Sequence, residues 1–378
     1  MGQKRGSTRR DLLRAAAALG GGLLLGACAP AAAPSAAPAS ASAAAKASAA
    51  ASAAASAAAG PLAALEDAAK KEGGDVLWYL PGSPDLGAAL KKGFEAAYPW
   101  AKVNALSVAF NALPQKLITE AVTSAPTADV FMLPAAFRQT MLQNKVPAAA
   151  TLASDKLLPS DLMDPQGYGH PCYVLLVANE YNTNLVKDPP TDPFQLADLS
   201  WKGKIAFDKP QNLGQSTIWL AVRRKTWGDA KWQQWLDGLK ANDVFITATA
   251  GDSYSAVLRG ERAIGVGSSN DTLSQKPGTP VAADYKYPPV RFVQYIWLTA
   301  KASHPATGKL FMEWVLSKDG QTAMASTKRS PAMAGIDSPV AVEKILPAGM
   351  SPLPGSDLQD FYDHTDEYMS QLTKRWSG

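Results

Sequence analysis

The sequence predicts an α/β fold built on a mostly parallel sheet. Short apolar runs alternate with amphipathic stretches of helical period in the order β-α-β-α-β between residues 76 and 133, and the same texture returns between residues 173 and 316. At 378 residues the chain is also long for one domain and suits two lobes of ordinary size.

The elements follow in order. Leu62, Leu65 and Ala69 fall on one helical face, with Glu66, Asp67, Lys70 and Lys71 opposite, and Gly73-Gly74 stops the helix. Val76 to Leu80 is an apolar run broken by Pro81-Gly82-Ser83-Pro84, which reads as a buried strand feeding a loop. Leu86, Leu90, Phe94 and Ala97 space a helix ended by Pro99; Val103 to Phe110 alternates as a strand; Leu113 to Ala121 is helical; Ala128 to Leu133 is again a strand. In the second half Tyr173 to Ala178 is an apolar run, and Ile205 to Phe207 is a strand followed by a Pro/Gly loop and a helix from about Ser216 to Lys225. Trp232, Trp235, Leu236 and Leu239 form one helix face, whose spacing favours core packing over ligand stacking. Val244 to Thr249, Ala263 to Val266 and Phe292 to Thr299 read as strands, and Leu310 to Leu316 as an amphipathic helix.

Residues 1–27 read as an export signal. Lys4, Arg5, Arg9, Arg10 and Arg14 precede an apolar run from Ala15 to Ala27, too short to span a bilayer core of about 20 helical residues and of the length of a signal-peptide core. Arg9-Arg10 resembles the twin-arginine signal, with Leu12 where that signal usually has Phe. Leu25-Gly26-Ala27-Cys28 resembles a bacterial lipobox, so Cys28 is expected to carry lipid and to become the new N-terminus. Residues 29–60 hold 21 Ala, 6 Ser and 3 Pro and no large side chain to bury, so residues 28–60 are read as a lipid anchor and tether.

Composition excludes several functions. Five of the 37 basic groups and one of the 33 acidic groups lie in residues 1–27, leaving 32 of each beyond them. A body without net charge does not present the concentrated positive field that non-specific nucleic-acid binding requires, and no nucleic-acid partner is expected. Two cysteines, Cys28 and Cys172, and three scattered histidines, His170, His304 and His364, exclude a disulfide scaffold and a helix-borne zinc hydrolase. No phosphate-binding G-x-x-x-x-G-K-S/T loop occurs, and no cofactor is expected.

Several segments carry a family resemblance. Ala68-Ala69-Lys70-Lys71-Glu72-Gly73 followed by Val76-Leu77-Trp78-Tyr79, then Phe94-Glu95-Ala96-Ala97-Tyr98-Pro99 and Ala128-Asp129-Val130-Phe131, stand in the first half. Tyr181-Asn182-Thr183-Asn184-Leu185, Trp201-Lys202-Gly203-Lys204-Ile205-Ala206 and Leu316-Ser317-Lys318-Asp319-Gly320-Gln321 stand in the second. In this order and spacing, over nearly all of residues 62–335, they resemble the periplasmic solute-binding proteins of ABC importers, in the branch that includes ferric-iron, thiamine and aminoalkylphosphonate binders. The resemblance implies a type II-like two-lobed fold hinged by two crossover strands, with lobe 1 at residues 61–172 and 292–345, lobe 2 at 173–291, and a C-terminal helical segment at 346–378 packed on both. It also implies a monomer that is not an enzyme, holds a small molecule between the lobes and hands it to a permease with a cytoplasmic ATPase.

Ferric-ion members of that branch hold metal through an early His, a Glu and a Tyr pair. Here Pro81-Gly82-Ser83 has no His, Phe110 to Gln115 has no Glu, and Ser268-Ser269-Asn270-Asp271 stands where the Tyr pair is expected. A small organic or oxyanionic solute is therefore expected, with no metal; an iron receptor with atypical ligands is the alternative. Loops at the carboxyl ends of strands and helix openings are the expected grips. They supply Ser83, Asn111, Gln215, Ser216, Thr217, Ser268, Ser269 and Asn270, with the amides and both hydroxyls of Gln215-Ser216-Thr217 turned to the ligand. Tyr168 and Tyr173 either stack on ligand or pack at the hinge, and Arg291 either faces an anion or is a solvated surface side chain. A hydrolase would need a base for Ser268 or Ser269, which only a histidine brought close by folding could supply, and there is no G-x-S-x-G elbow. A tethered sensor on the same fold is a third class.

The lipobox generates the first prediction. Cys28→Ala should leave the body folded but release the protein from membranes, because one residue carries the anchor. Equal membrane retention of wild type and variant after a high-salt wash would refute it.

Overall fold

The computed structural model describes residues 60–123 and 125–376. The segments expected to be a signal peptide, a lipidation site at Cys28 and a tether, up to residue 59, lie outside the described residues. The first part of the chain forms α1 (60–71), β1 (Asp75–Pro81), α2 (Pro84–Ala97), β2 (Lys102–Val108), α3 (Leu113–Val122), β3 (Val130–Pro134), α4 (Arg138–Gln143) and β4 (Pro147–Ala148). Strand β5 (Gly169–Asn182) leads to β6 (Ile205–Asp208), α5 (Gln215–Ala221), α6 (Arg223–Trp227), α7 (Asp229–Ala241), β7 (Phe245–Thr247), α8 (Ala250–Leu258), β8 (Ile264–Ser268), α9 (Ser269–Leu273) and β9 (Val281–Asp284). Strand β10 (Val290–Thr299) returns, followed by α10 (Pro305–Val315), α11 (Lys318–Ser326), β11 (Ser330–Pro331), α12 (Val342–Ile345), α13 (Gly355–Asp363) and α14 (Thr365–Trp376).

Among the described residues the strands join into one sheet whose main path is β2-β1-β3-β10-β5-β8-β6-β7. Its two wings are parallel: β1 pairs with β2 and β3, and β6 with β7 and β8. Its centre is antiparallel: β10 pairs with β3 and β5, and β5 with β8 and β9. The expectation of a mostly parallel sheet is corrected to a mixed one. Strand-helix alternation reports that each wing is wound by crossovers, but it carries no information on the direction of a long strand passing between wings. Two local readings also change. The helix expected from Ser216 to Lys225 divides into α5 and α6 at Val222, and the strand expected from Val244 to Thr249 stops at Thr247 because Thr249 caps α8.

Each wing has an aromatic core. In the first, Trp78 on β1 meets Phe311 at 5.1 Å between ring centroids, and Phe94 on α2 meets the same ring edge-on at 5.2 Å. A helix from late in the chain, α10, thus closes the core made by its beginning. Glu72 holds that helix in place by accepting from the amides of Ala306 and Thr307 at 3.0 and 2.9 Å, which satisfies two donors of the first turn. In the second wing Trp232 and Trp235 are fully buried and donate to the carbonyls of Leu220 and Pro193, both at 2.8 Å, so packing is their role. Helix α13 packs against both α4 and α6. Cys172 is buried, its thiol donating to the Gln294 carbonyl at 3.2 Å.

One central side chain is costly. Glu180 on β5 is 1% exposed, and neither carboxyl oxygen has a hydrogen-bond partner. It lies over the backbone of Gly267, where a Cβ would sit 1.7 Å from Oε2, so only glycine fits at that position of β8. Burial first, and the charge of Asp271 second, push its carboxyl well above the ordinary 4.5.

This gives a pH prediction. Native Glu180 keeps a proton that the unfolded chain releases around pH 4.5. The proton-linked stability is complete below that value and declines as pH rises toward the native pKa. Glu180→Gln, which preserves shape without ionisation, should raise Tm relative to wild type more at about pH 8 than at about pH 5. A pH-independent difference in melting curves would count against it.

Candidate binding cleft

The carboxyl ends of strands from both wings converge on one cavity of about 390 Å³. From the first wing come Pro81 and Gly82 at the end of β1, and Ala109, Phe110 and Asn111 after β2. From the second come Asp208 at the end of β6, Asn212, Gly214 and Gln215 leading into α5, and Thr249, Ala250 and Gly251 opening α8. Phe292 on the central strand β10 forms part of the wall. This is the place where parallel wings expose loops and helix starts, so ligands are held there in open α/β sheets.

Local geometry presents these groups. Leu213 takes a left-handed conformation, φ 49°, which turns the chain so that Gly214 and Gln215 reach the cavity. A Cβ at Gly214 would stand 2.5 Å from Asp208 Oδ2, so the glycine makes room for the carboxylate. Asp208 and Ser216 clasp each other: the Asp208 amide donates to Ser216 Oγ at 3.1 Å, and the Ser216 amide donates to Asp208 Oδ1 at 3.2 Å. Burial raises the Asp208 carboxyl above its ordinary value, opposed by its bonds to Ser216 and Asn212. Phe110 is braced edge-on by Phe137 at 5.9 Å. Thr249 and Asp252 form a reciprocal cap on α8.

Of the residues expected from sequence, Asn111 and Gln215 line the cavity, and Ser83 follows its lining residue Gly82. Ser83 Oγ accepts from Arg329 at 3.1 Å, and Arg329 also binds Asp85 at 2.8 Å and lies 5.9 Å over the Tyr173 ring. Tyr173 is buried in that cluster, its phenol pushed up to about 12 chiefly by burial, so packing is the role the fold shows. Ser216 and Thr217 are wholly buried, with Thr217 Oγ1 donating to the Pro210 carbonyl at 2.9 Å. The α5 opening expected to face ligand instead binds its own loop, with only Gln215 reaching the cavity. Ser268 caps α9 through Asp271, at 3.0 Å from its amide and 2.7 Å from its hydroxyl; Ser269 Oγ accepts from the Leu176 amide at 3.1 Å. Asn270 is not among the lining residues.

Arg291 is a correction. Side chains alternate along β10, and Phe292 takes the cleft side, so Arg291 points to the other face and pairs with Asp161 at 2.7 Å. The histidines are engaged elsewhere: His170 with Asp155, His304 with Asp129 and His364 with the Asp360 carbonyl. Asp208, Phe110, Asn212, Thr249 and Phe292 line the cavity without being singled out by the sequence pattern. Asp208 does carry a usable signal, because it directly follows the strand expected at Ile205 to Phe207. Nothing local marks Phe292, since its face depends on register across the sheet.

A sequence model described as bacterial extracellular solute-binding protein matches residues 89–346. The chain belongs to that family. The thiamine-binding periplasmic protein of Escherichia coli strain K12 is 22% identical over 190 residues, 49% of this chain and 56% of that relative; the chain thus spans little more than half of the relative's length. Iron-bound HitA from Pseudomonas aeruginosa superposes with a TM-score of 0.66 at 20% identity, over 79% of this chain and 99% of that one. The periplasmic binding protein AfuA from Actinobacillus pleuropneumoniae, bound to fructose-6-phosphate, superposes with a TM-score of 0.67 at 19% identity, over 80% and 98%. At these identities the structures establish the fold, which is that of two-lobed periplasmic binding proteins. This solute-binding protein has no helix among its described residues long and apolar enough to cross a membrane.

The internal bonds of the α5 opening generate the third prediction. Removing the hydroxyls in Ser216→Ala/Thr217→Ala leaves buried backbone groups without partners and should cost about 1–3 kcal/mol per hydroxyl. Urea unfolding that matched wild type would show that these bonds do not support the fold.

Proposed function

We propose that the chain is the extracytoplasmic receptor of an ABC importer, anchored by lipid at Cys28 and exported by the signal in residues 1–27. It captures one small organic solute and delivers it to a permease served by a cytoplasmic ATPase. The observation that carries this is the cavity itself: its walls come from the strand ends of both wings, and its volume of about 390 Å³ is of the size that small-molecule sites have. In this reading lobe 1 comprises residues 61–172 and 292–345, lobe 2 comprises residues 173–291, and β5 and β10 are the crossovers about which the lobes close on solute. The C-terminal segment from residue 346 packs on both.

The lining of the cavity supports an organic solute over ferric iron. No Tyr, His or Glu is among its lining residues, so its one carboxylate, Asp208, lacks the anionic oxygen partners that hard Fe(III) favours. Among the described residues no cluster of three His, Cys, Asp or Glu could hold a metal. The thiamine-binding relative supports an organic solute; the iron-bound HitA structure shares the fold at 20% identity.

Native mass spectrometry of protein purified from its own host should show a retained small molecule of one-to-one stoichiometry, released on unfolding. Added ferric citrate should produce no tyrosinate-to-iron charge-transfer band. A strong band with one-to-one iron and no retained organic mass would reverse the assignment.

A further inference from the structure

A receptor of this kind could carry a solute of any charge, and the lining of its cleft bears on which. Asp208 is the one charged side chain lining the cavity, and no Lys, Arg or His lines it. Aromatic rings at Phe110 and Phe292 supply the remaining large surface. Asn111, Asn212, Gln215 and Thr249 are neutral. Gln215 Oε1 is buried without a hydrogen-bond partner, and the Gln215 side chain bonds Asp271.

Three backbone amides at or beside helix openings of the second wing are taken by acidic side chains. The Ser216 amide already donates to Asp208 Oδ1, and the Ser268 amide at α9 donates to Asp271 Oδ2. The Thr249 amide beside the cavity donates to Asp252. An oxyanion entering this cleft would meet a carboxylate where it needs a cation. Among the described residues neither Asp208, Asp271 nor Glu180 takes part in any salt bridge. Arg329 is the cation that bears on Asp271, and it is held by Asp85 at 2.8 Å. Asp208 is therefore the acidic group that the second wing brings to the cavity lining, with no cation in that lining to balance it.

We propose, resting on the receptor function proposed above, that the cleft selects an organic solute carrying a positive charge, a substituted ammonium or a cationic heterocycle. Asp208 meets the charge, and the rings of Phe110 and Phe292 cover the apolar part of the molecule. The arrangement is self-consistent: a cation is attracted to aromatic faces as well as to carboxylate, and both act more strongly in a desolvated cavity. A neutral solute would leave the buried carboxylate without a counter-charge. The oxyanionic alternative is the one the lining disfavours.

Three probes of one shape test the charge: quaternary N-methylnicotinamide as cation, nicotinamide as neutral molecule and nicotinate as anion. Each is titrated calorimetrically into the whole protein and into Asp208→Asn, with Tm recorded in parallel. The cation should bind about tenfold or more tighter than the neutral probe, and nicotinate weakest. Asp208→Asn should remove the preference while keeping its Tm without probe, because the amide oxygen still accepts from Ser216. Equal or tighter binding of nicotinamide or nicotinate, or no binding of any probe, overturns the inference. The solute retained from the host separates this from the receptor function: a neutral or anionic retained molecule leaves the receptor standing and refutes the charge.

Discussion

The antiparallel pairing of β5 with β10 is the constraint on which the rest depends. These strands are buried along nearly their whole lengths, so their amides and carbonyls need partners inside the protein, most of which the sheet supplies. Pairing them with each other leaves β10 one free edge for β3 and β5 one for β8. The two parallel wings are then attached to a common spine, their strand ends facing one cavity. A chain that crossed only once would leave the second wing on a single covalent link and the cavity without a fixed wall. Phe292, on the spine and in the cavity lining, belongs to both parts.

The spine also accounts for the glycines and acids beside it. The stem of Glu180 leaves β5 toward β8, and the carboxyl group fits only because Gly267 has no side chain. The result is a buried carboxyl group with no partner, an arrangement that costs stability as pH rises. Such groups persist where the surrounding packing over-determines them. On the cleft side Gly214 does the same for Asp208, but there the carboxylate also receives the Ser216 amide. One device, a carboxyl group seated on a glycine backbone, thus serves a silent position and a cleft position in the same wing.

Helix openings are commonly treated as ready anion sites, and in this fold acidic side chains take part of that potential from within. Asp208 at α5, Asp252 at α8 and Asp271 at α9 each take a backbone amide at the start of a helix. Of these openings, those of α5 and α8 reach the cavity, and at α5 the bond to Asp208 takes a first-turn amide that a phosphate or carboxylate solute would otherwise use. Hydroxyls that look available in the sequence are consumed within the protein: Ser216, Thr217 and Ser268 by the same turns, and Ser269 by the Leu176 amide of β5. What remains exposed to the cavity is aromatic, neutral or acidic.

The sequence by itself determined the elements of each wing. Apolar periodicity placed β1, α2, β2, α3 and β3, and it assigned Trp232 and Trp235 to a core face, because these features depend on neighbours a few residues away. It also marked the loops after β1, β2 and β6 as the place where ligand would be held, since strand ends are visible as apolar runs stopped by Pro, Gly or Asn. Tertiary structure decided what the sequence could not carry. The direction of β5 and β10 depends on partners far along the chain, as Gly169 pairs with Trp297. The same register sent Arg291 to one face and Phe292 to the other. Whether a serine faces solute or its own backbone was settled by short loops closing on themselves, Ser268 on Asp271 and Ser216 on Asp208. That is a choice between two hydrogen-bond partners, and residue identity leaves it equal.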